Sequence, residues 1–325
     1  MIKKAPITFK PYFKDVIWGG NRICAYKGIS QQIPNIGESW EISEVPGHES
    51  VVEGGEYSGM NLSQLISRFH GDLLGEAVYE KYEGRFPLLI KLIDANDNLS
   101  VQVHPDDKLA MERHQSLGKS EMWYIINSEN GAKIYAGLNK EISPQEYLER
   151  IEAKTFTDIV AVHNSYPGDV FYIPAGRVHS IGAGNMLVEI QESSDITYRI
   201  YDYDRKDSNG QTRELHTQLA KDAIDYHVYN NYKNAPLPED VADCELLNSR
   251  DFQTRRVKLH GEQNFEIDIN SFTVVICIAG VVHIVGEEGE TILSKGKTAL
   301  LPARLNKFKL QGDATLIMAR SNPFS

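Results

Sequence analysis

Apolar and polar residues alternate in short runs over most of the chain. The segments "FPLLIKLIDA" (86–95), "EMWYIIN" (121–127), "DVFYIP" (169–174), "MLVEIQES" (186–193) and "ITYRIYDYD" (196–204) are rich in β-branched and aromatic residues and are bounded by Gly, Pro, Asn or Asp, which predicts strands. Helical spacing is confined to three places. From Asn61 to Tyr82 the apolar residues recur at helical intervals, with Gly71 and Gly75 breaking the segment into two pieces. In "SPQEYLERIEAK" (143–154), Ser143 is placed to cap the helix, Pro144 takes the first helical position and Glu146 completes a capping box. The third, "RELHTQLAKDAIDY" (213–226), follows a turn at Asn209 and Gly210. The apolar run "FTVVICIAGVVHIV" (272–285) is too short for a membrane span, is interrupted by Gly280 and His283, and reads as two strands around a turn. A Pro-rich polar stretch, "NAPLPEDVADC" (234–244), reads as a linker after which strands resume. This pattern predicts a mainly β protein with two units, 1–237 with inserted helices and 238–325 as a smaller C-terminal β-barrel.

One strand carries a polar face. In "LSVQVHPDDK" (99–108), period two puts Ser100, Gln102 and His104 on one side and Val101 and Val103 on the other. A hydroxyl, an amide and an imidazole buried together without partners are costly, so that face needs a ligand, a metal or water.

Composition narrows the classes. With 325 residues, 41% hydrophobic and 24% charged, and a mean hydropathy of -0.37, the chain is an ordinary globular protein able to bury a large core. The N-terminal "MIKKAPITFKPYF" has no continuous apolar stretch and no small-residue cleavage site, so no secretory signal is read and a cytoplasmic location is expected. Cys24, Cys244 and Cys277 are odd in number and far apart, which argues against a disulfide framework and a thiolate zinc site. A net charge of -11 argues against nucleic acid or an anionic membrane as partner. Small anionic substrates stay open, because screening over about 8 Å lets a few local cations dominate a cleft.

The segment "GDVFYIPAGRVHSIG" fits G-x5-P-x-G-x2-H through Gly168, Pro174, Gly176 and His179, and resembles the second motif of the cupin superfamily. Pro174 and Gly176 turn the chain sharply at a strand end and present His179. The asparagine that this pattern places at position 183 is Ala here. The first cupin motif, normally His-x-His with a Glu following, appears in modified form as Gln102, His104 and, after a longer insert, Glu121. Two imidazoles, a carboxylate and an amide oxygen make a set suited to zinc with a position left for water or substrate; iron, manganese or cobalt would also fit. A fainter match, "GKTALLPARLNK" (296–307), repeats the glycine–strand–proline corner with Arg304 and Lys307 where the first has Gly176 and His179. It suggests a second, degenerate barrel without a ligand.

Together, "VIWGG", "GESWEIS", "SVQVHPDD", "GKSEMWYI", "IPAGRVHSIG" and "VEIQESSDITYRIYDYDR" resemble the type I mannose-6-phosphate isomerases in their short bacterial form, over most of the first 230 residues. The resemblance implies a cupin (jelly-roll) barrel that binds one zinc ion through His104, Glu121 and His179, with Gln102 a fourth ligand or a close neighbour. It makes Arg199 an essential catalytic arginine and places Ser100, Lys119 and Glu189 near the substrate. The implied reaction interconverts mannose 6-phosphate and fructose 6-phosphate through an enediol, in a monomer or weak homo-oligomer. The general base is left open among Glu189, Lys119 and metal-bound water. Two rival readings are a non-catalytic sugar-binding cupin and a metal cupin acting on another sugar phosphate. Taken alone, His104 reads as a structural histidine, Lys119 as a solvated charge, and Arg199 as an ion-pair partner of Asp202 or Asp204; the corner at His179 and the family motifs reverse those readings.

Overall fold

The structure is a computed structural model that describes residues 1–30, 33–207, 209–238 and 241–324. Residues 239–240 of the expected linker lie outside the described residues.

Three antiparallel sheets stack in layers. The first has the order β10-β7-β12-β5-β3-β2, built from β2 (Tyr12–Gly20), β3 (Ile36–Ile42), β5 (Leu88–Asp94), β7 (Glu121–Ser128), β10 (Val170–Ile173) and β12 (Asn185–Glu192). The second has the order β13-β6-β11-β8-β9, from β6 (Val101–Val103), β8 (Lys133–Leu138), β9 (Val160–Asn164), β11 (His179–Ile181) and β13 (Tyr198–Tyr201). The third runs β14-β15-β19-β16-β18-β1-β4, with β17 on β16. It is made of β14 (Asp243–Asn248), β15 (Phe252–Glu266), β16 (Thr273–Val285), β17 (Glu290–Ser294), β18 (Thr298–Leu301) and β19 (Lys307–Ser321), extended by β1 (Ile7–Lys10) and β4 (Val51–Val52). Thus two short strands from the start of the chain complete the C-terminal sheet.

Alternation along each strand assigns its two faces. Ile93, Trp123, Ile125 and Leu187 of the first sheet pack against Ile134, Ala136 and Ile181 of the second, forming the sandwich core that the functional groups share. Leu88, Ile90, Met122, Val188 and Ile190 point the other way, onto Phe272, Val274 and Ile317 of the third sheet. Val101 and Val103 lie on the outer face of the second sheet, under Tyr147 and Ala220 of two helices. With the valines committed outward, Gln102 must face inward.

Several predicted elements differ in detail. The run 272–285 holds one continuous strand, Thr273–Val285, not two around a turn. The register shifts between Cys277 and Ala279, and Gly280, at φ +75, lets the Asp313 carbonyl approach closer than any side chain would allow, so the strand kinks without reversing. Residues 61–82 form three helical pieces, Leu62–Phe69, Gly71–Leu74 and Glu76–Lys81, because His70 at φ 49 and Gly75 at φ 88 make the breaks and Gly71 is helical. The helix expected over 213–226 is confined to Thr217–Ala223, since the preceding residues are drawn to Arg199 and Asp202. Ser143 caps Pro144–Glu152 as expected, accepting from the Glu146 N–H at 3.1 Å, but the Glu146 carboxylate is taken by Lys140 and Arg150 and does not close the box. A reciprocal capping box forms instead at Asn61 and Gln64. The insert after His104 contains a helix, Asp107–His114, capped by Asp106.

Asp107, Glu192 and Asp251 meet where that helix, β12 and the segment before β15 converge. Arg250 pairs with Asp107 and lies 3.2 Å from Asp251. Burial, reinforced by the Asp251 and Asp107 charges, pushes the Glu192 carboxyl up to about 8. A carboxyl raised on folding stabilises the native state fully below its unfolded value near 4.5, and that stabilisation is lost as pH rises through about 8. Glu192→Gln should therefore raise the melting temperature at pH 8 relative to the unsubstituted protein and flatten its fall between pH 5 and 8. Melts across that range check it; an unaltered slope would contradict it.

Candidate metal centre and cavity

The candidate metal centre draws its side chains from both sheets of the sandwich. Across the second sheet, Gln102 pairs in register with His179 of β11 on one side and Arg199 of β13 on the other, so the three share one face. His104 stands one residue past β6 and Glu121 opens β7 in the facing sheet. The corner before β11 holds them together: Gly176, at φ +89, donates its N–H to the His104 carbonyl at 2.9 Å, and a Cβ there would lie 3.1 Å from the Ala223 carbonyl.

The hydrogen bonds fix which imidazole nitrogens are free. His104 Nδ1 lies 3.0 Å from the Ile196 carbonyl and His179 Nδ1 lies 2.8 Å from the Arg177 carbonyl, so each Nδ1 carries the proton and each Nε2 presents a lone pair. Burial, with the nearby Lys119 charge second, holds His104 well below the usual histidine range. Burial lowers His179 as well, although Glu121 opposes it. Both rings are therefore neutral near pH 7.

Glu121 faces those lone pairs. Its Oε1 is 3.3 Å from His179 Nε2 and its Oε2 is 3.5 Å from His104 Nε2, and all three side chains are at most 1% exposed. Among the described residues, neither Glu121 oxygen nor His104 Nε2 has a hydrogen-bond partner. An anion set against two imidazole lone pairs in a dry interior is repulsive unless a cation lies among them. The spacing suits one, because bonds of about 2.1 Å in a tetrahedral arrangement put ligand atoms about 3.4 Å apart. The residues present therefore fit a divalent metal.

Gln102 has two readings that differ by an amide flip. As oriented, its Nε2 lies 3.2 Å from His179 Nε2 while its Oε1 accepts from Ser100 Oγ at 3.2 Å. Rotated by half a turn, the oxygen joins the ligand cluster and the amide nitrogen donates to Ser100 Oγ.

A cavity of about 330 Å3 opens beside the cluster, and Ser100, Gln102, Lys119, Glu189 and Arg199 all line it. Lys119 connects cavity and cluster, with Nζ 3.7 Å from Glu121 Oε2. Glu189 is held on both oxygens, by Lys91 Nζ at 2.9 Å and by the Trp123 Nε1–H at 2.9 Å. Burial works to lower Lys91, but Glu189, Glu38 and Asp195 outweigh it, so the ammonium is held raised. Arg199 donates from Nη1 to the Glu214 carbonyl at 2.8 Å, while its buried Nε has no hydrogen-bond partner among the described residues. Among the described residues Arg199 forms an ion pair with neither Asp202 nor Asp204, and Asp202 is taken by Arg205 and Arg213, each at 2.5 Å.

All eight residues singled out in the sequence thus fall in or against one space. Sequence reasoning missed Lys91, Trp123 and Glu38. Lys91 had a signal, a lone cation inside the apolar run "LLIKLI"; Trp123 had none, since an indole in a strand reads as core.

A cupin-type sandwich with two neutral imidazoles and a carboxylate beside a cavity lined by more Lys and Arg than Asp and Glu has the donor set of a metal site and the charge to suit a small anion. The comparisons give the family. Residues 7–143 match the model of the phosphomannose isomerase type I catalytic domain, and residues 243–321 match that of the mannose-6-phosphate isomerase cupin domain. The chain is 36% identical over 322 residues to the mannose-6-phosphate isomerase ManA of Bacillus subtilis, covering 97% of this chain and 98% of the relative. It is 35% identical over 318 residues to the mannose-6-phosphate isomerase of Streptococcus mutans, covering 98% of each. The crystal structure of the mannose 6-phosphate isomerase from Bacillus subtilis superposes with a TM-score of 0.86 at 33% identity, over 97% of this chain and 99% of that one. A solved structure from Archaeoglobus fulgidus, at 23% identity and TM-score 0.80 over 97% of each chain, shares the fold. The chain belongs to the type I mannose-6-phosphate isomerase family. No helix among the described residues is long and apolar enough to cross a membrane.

Proposed function

We propose that this protein interconverts mannose 6-phosphate and fructose 6-phosphate, with His104, Glu121, His179 and a flipped Gln102 holding one zinc ion. The observation that carries the reading is the orphaned Glu121 carboxylate between two imidazole lone pairs, opening onto a cavity whose lining bears five Lys or Arg against three Asp or Glu. That local excess of positive charge stands against the net -11 of the chain and suits a sugar phosphate.

The reaction moves a proton between neighbouring carbons of an open-chain sugar through an enediol, and the difficult part is the negative charge that develops on oxygen. A bound divalent metal supplies Lewis acidity at that oxygen. The Arg199 guanidinium lines the same cavity and stays charged at any working pH, so it stabilises the same charge without titrating. Ser100 offers a hydroxyl to the substrate and orients Gln102. Lys119 adds a cation beside Glu121, and Glu189, fixed by two donors, contributes a carboxylate of set orientation at the reacting carbons. Residues 1–237 then form the catalytic unit, which lends β1 and β4 to the C-terminal sheet, and 238–325 the degenerate cupin unit that packs beneath the first sheet. A cytoplasmic location goes with this reading.

The test follows mannose 6-phosphate by NMR in deuterated water with purified protein. Conversion to fructose 6-phosphate with deuterium appearing at the exchanging carbon supports the proposal. Binding of the sugar phosphate with no conversion would make the protein a sugar-binding cupin instead.

A further inference from the structure

A row of register partners crosses the first sheet: Trp40 on β3, Lys91 on β5, Glu189 on β12 and Trp123 on β7. All four side chains are buried. Trp40 Nε1–H donates to Glu38 at 2.6 Å, and Lys91 lies between Glu38 Oε2 at 4.0 Å and Glu189 Oε1 at 2.9 Å. Trp123 closes the row by donating to the other Glu189 oxygen at 2.9 Å. Its ring also meets His179 edge-on, with centroids 5.4 Å apart and planes at 71°. One indole therefore touches a carboxylate of the first sheet through its N–H and an imidazole of the second through its ring.

We propose that Trp123 is a positioning residue that acts through Glu189, an inference that rests on the reading of Glu189 as a substrate-side group. The terminal torsion of a glutamate is broad and roughly two-fold, so a single partner, Lys91, leaves the carboxylate plane free to turn. A second donor on the other oxygen fixes that plane. Glu189 is thus presented to the cavity in one orientation, with no reorganisation needed when substrate arrives. Phenylalanine at position 123 would keep the ring against His179 and the core packing but could not donate.

The test is a double-mutant cycle of Trp123→Phe and Glu189→Gln, reading kcat, KM, zinc content and melting temperature. Trp123→Phe should lower kcat by about 10- to 100-fold with KM and zinc content little changed. In the Glu189→Gln background the same substitution should change kcat by less than about twofold, because its target is already gone. Normal kcat in Trp123→Phe, or effects that multiply in the double variant, would overturn the proposal. An impaired Glu189→Gln beside a normal Trp123→Phe overturns only the role of Trp123. Normal turnover by Glu189→Gln overturns the reading of Glu189 itself and the Trp123 role with it. If Glu189→Gln does not fold, Trp123→Phe decides alone: a fall in kcat at unchanged zinc content and KM supports the proposal, and a fall in melting temperature alone contradicts it.

Discussion

Glu121→Gln is expected to abolish metal binding and to lower turnover by about 10³-fold or more, since the lost Lewis acid stabilises the transition state by several kcal/mol. Glu121 is the one carboxylate of the cluster, and without it two neutral imidazoles remain. The effect on the stability of the metal-free protein should be small, because two contributions oppose each other. In the metal-free protein the Glu121 carboxylate has no hydrogen-bond partner and faces the Nε2 lone pairs at 3.3 and 3.5 Å, whereas a glutamine amide can donate to one of them. Against that, the substitution takes the carboxylate away from the buried Lys119 Nζ, 3.7 Å from Glu121 Oε2, so metal-free Glu121→Gln should melt close to the metal-free parent. A chelator should lower the melting temperature of the parent, because binding to the folded state alone stabilises it by linkage, and should leave the variant unmoved. Metal analysis and melts with and without chelator check this. A variant that keeps its metal and its activity would remove Glu121 from the centre.

The second large effect is expected at Arg199. Loss of one preorganised charge-stabilising donor typically lowers turnover by about 10²- to 10³-fold, and Arg199→Ala should do the same. Its backbone bonds to His216, N–H to Nδ1 at 3.2 Å and carbonyl to N–H at 2.7 Å, do not involve the side chain and survive the substitution. No carboxylate is left unpaired either, since Asp202 keeps Arg205 and Arg213. Zinc content and melting temperature should accordingly stay near the parent values while kcat falls. Normal turnover, or a protein that unfolds, would return Arg199 to a structural role.

Much of this site was legible along the chain because it is built from local patterns. Alternation in "LSVQVH" placed Gln102 opposite the two valines, and the proline–glycine corner placed His179 at a strand start; both follow from backbone geometry a few residues long. Glu121 was legible only through the family's motif order, since it comes from the opposite sheet and no local rule brings two sheets together. The same limit hid the contact of Lys91 and Trp123 with Glu189, which depends on the register of three strands. Glycine misled where tertiary contacts decide. Gly280 lies in a kinked strand held by β19, whereas the break before Gly71 falls at His70. The helix Asp107–His114 buries only Ala110, so it carries almost no periodicity, although Asp106 capped it in plain view. Likewise, the short β1 and β4 could not be assigned to the C-terminal sheet from sequence, because a strand of two to four residues does not name its partner.

The most direct test of the account is a metal titration. Protein stripped by chelation and dialysed should be inactive toward mannose 6-phosphate, and activity should return in proportion to added zinc until one equivalent per chain is bound. Full activity in the stripped protein, or activity that does not follow occupancy of this site, would contradict it.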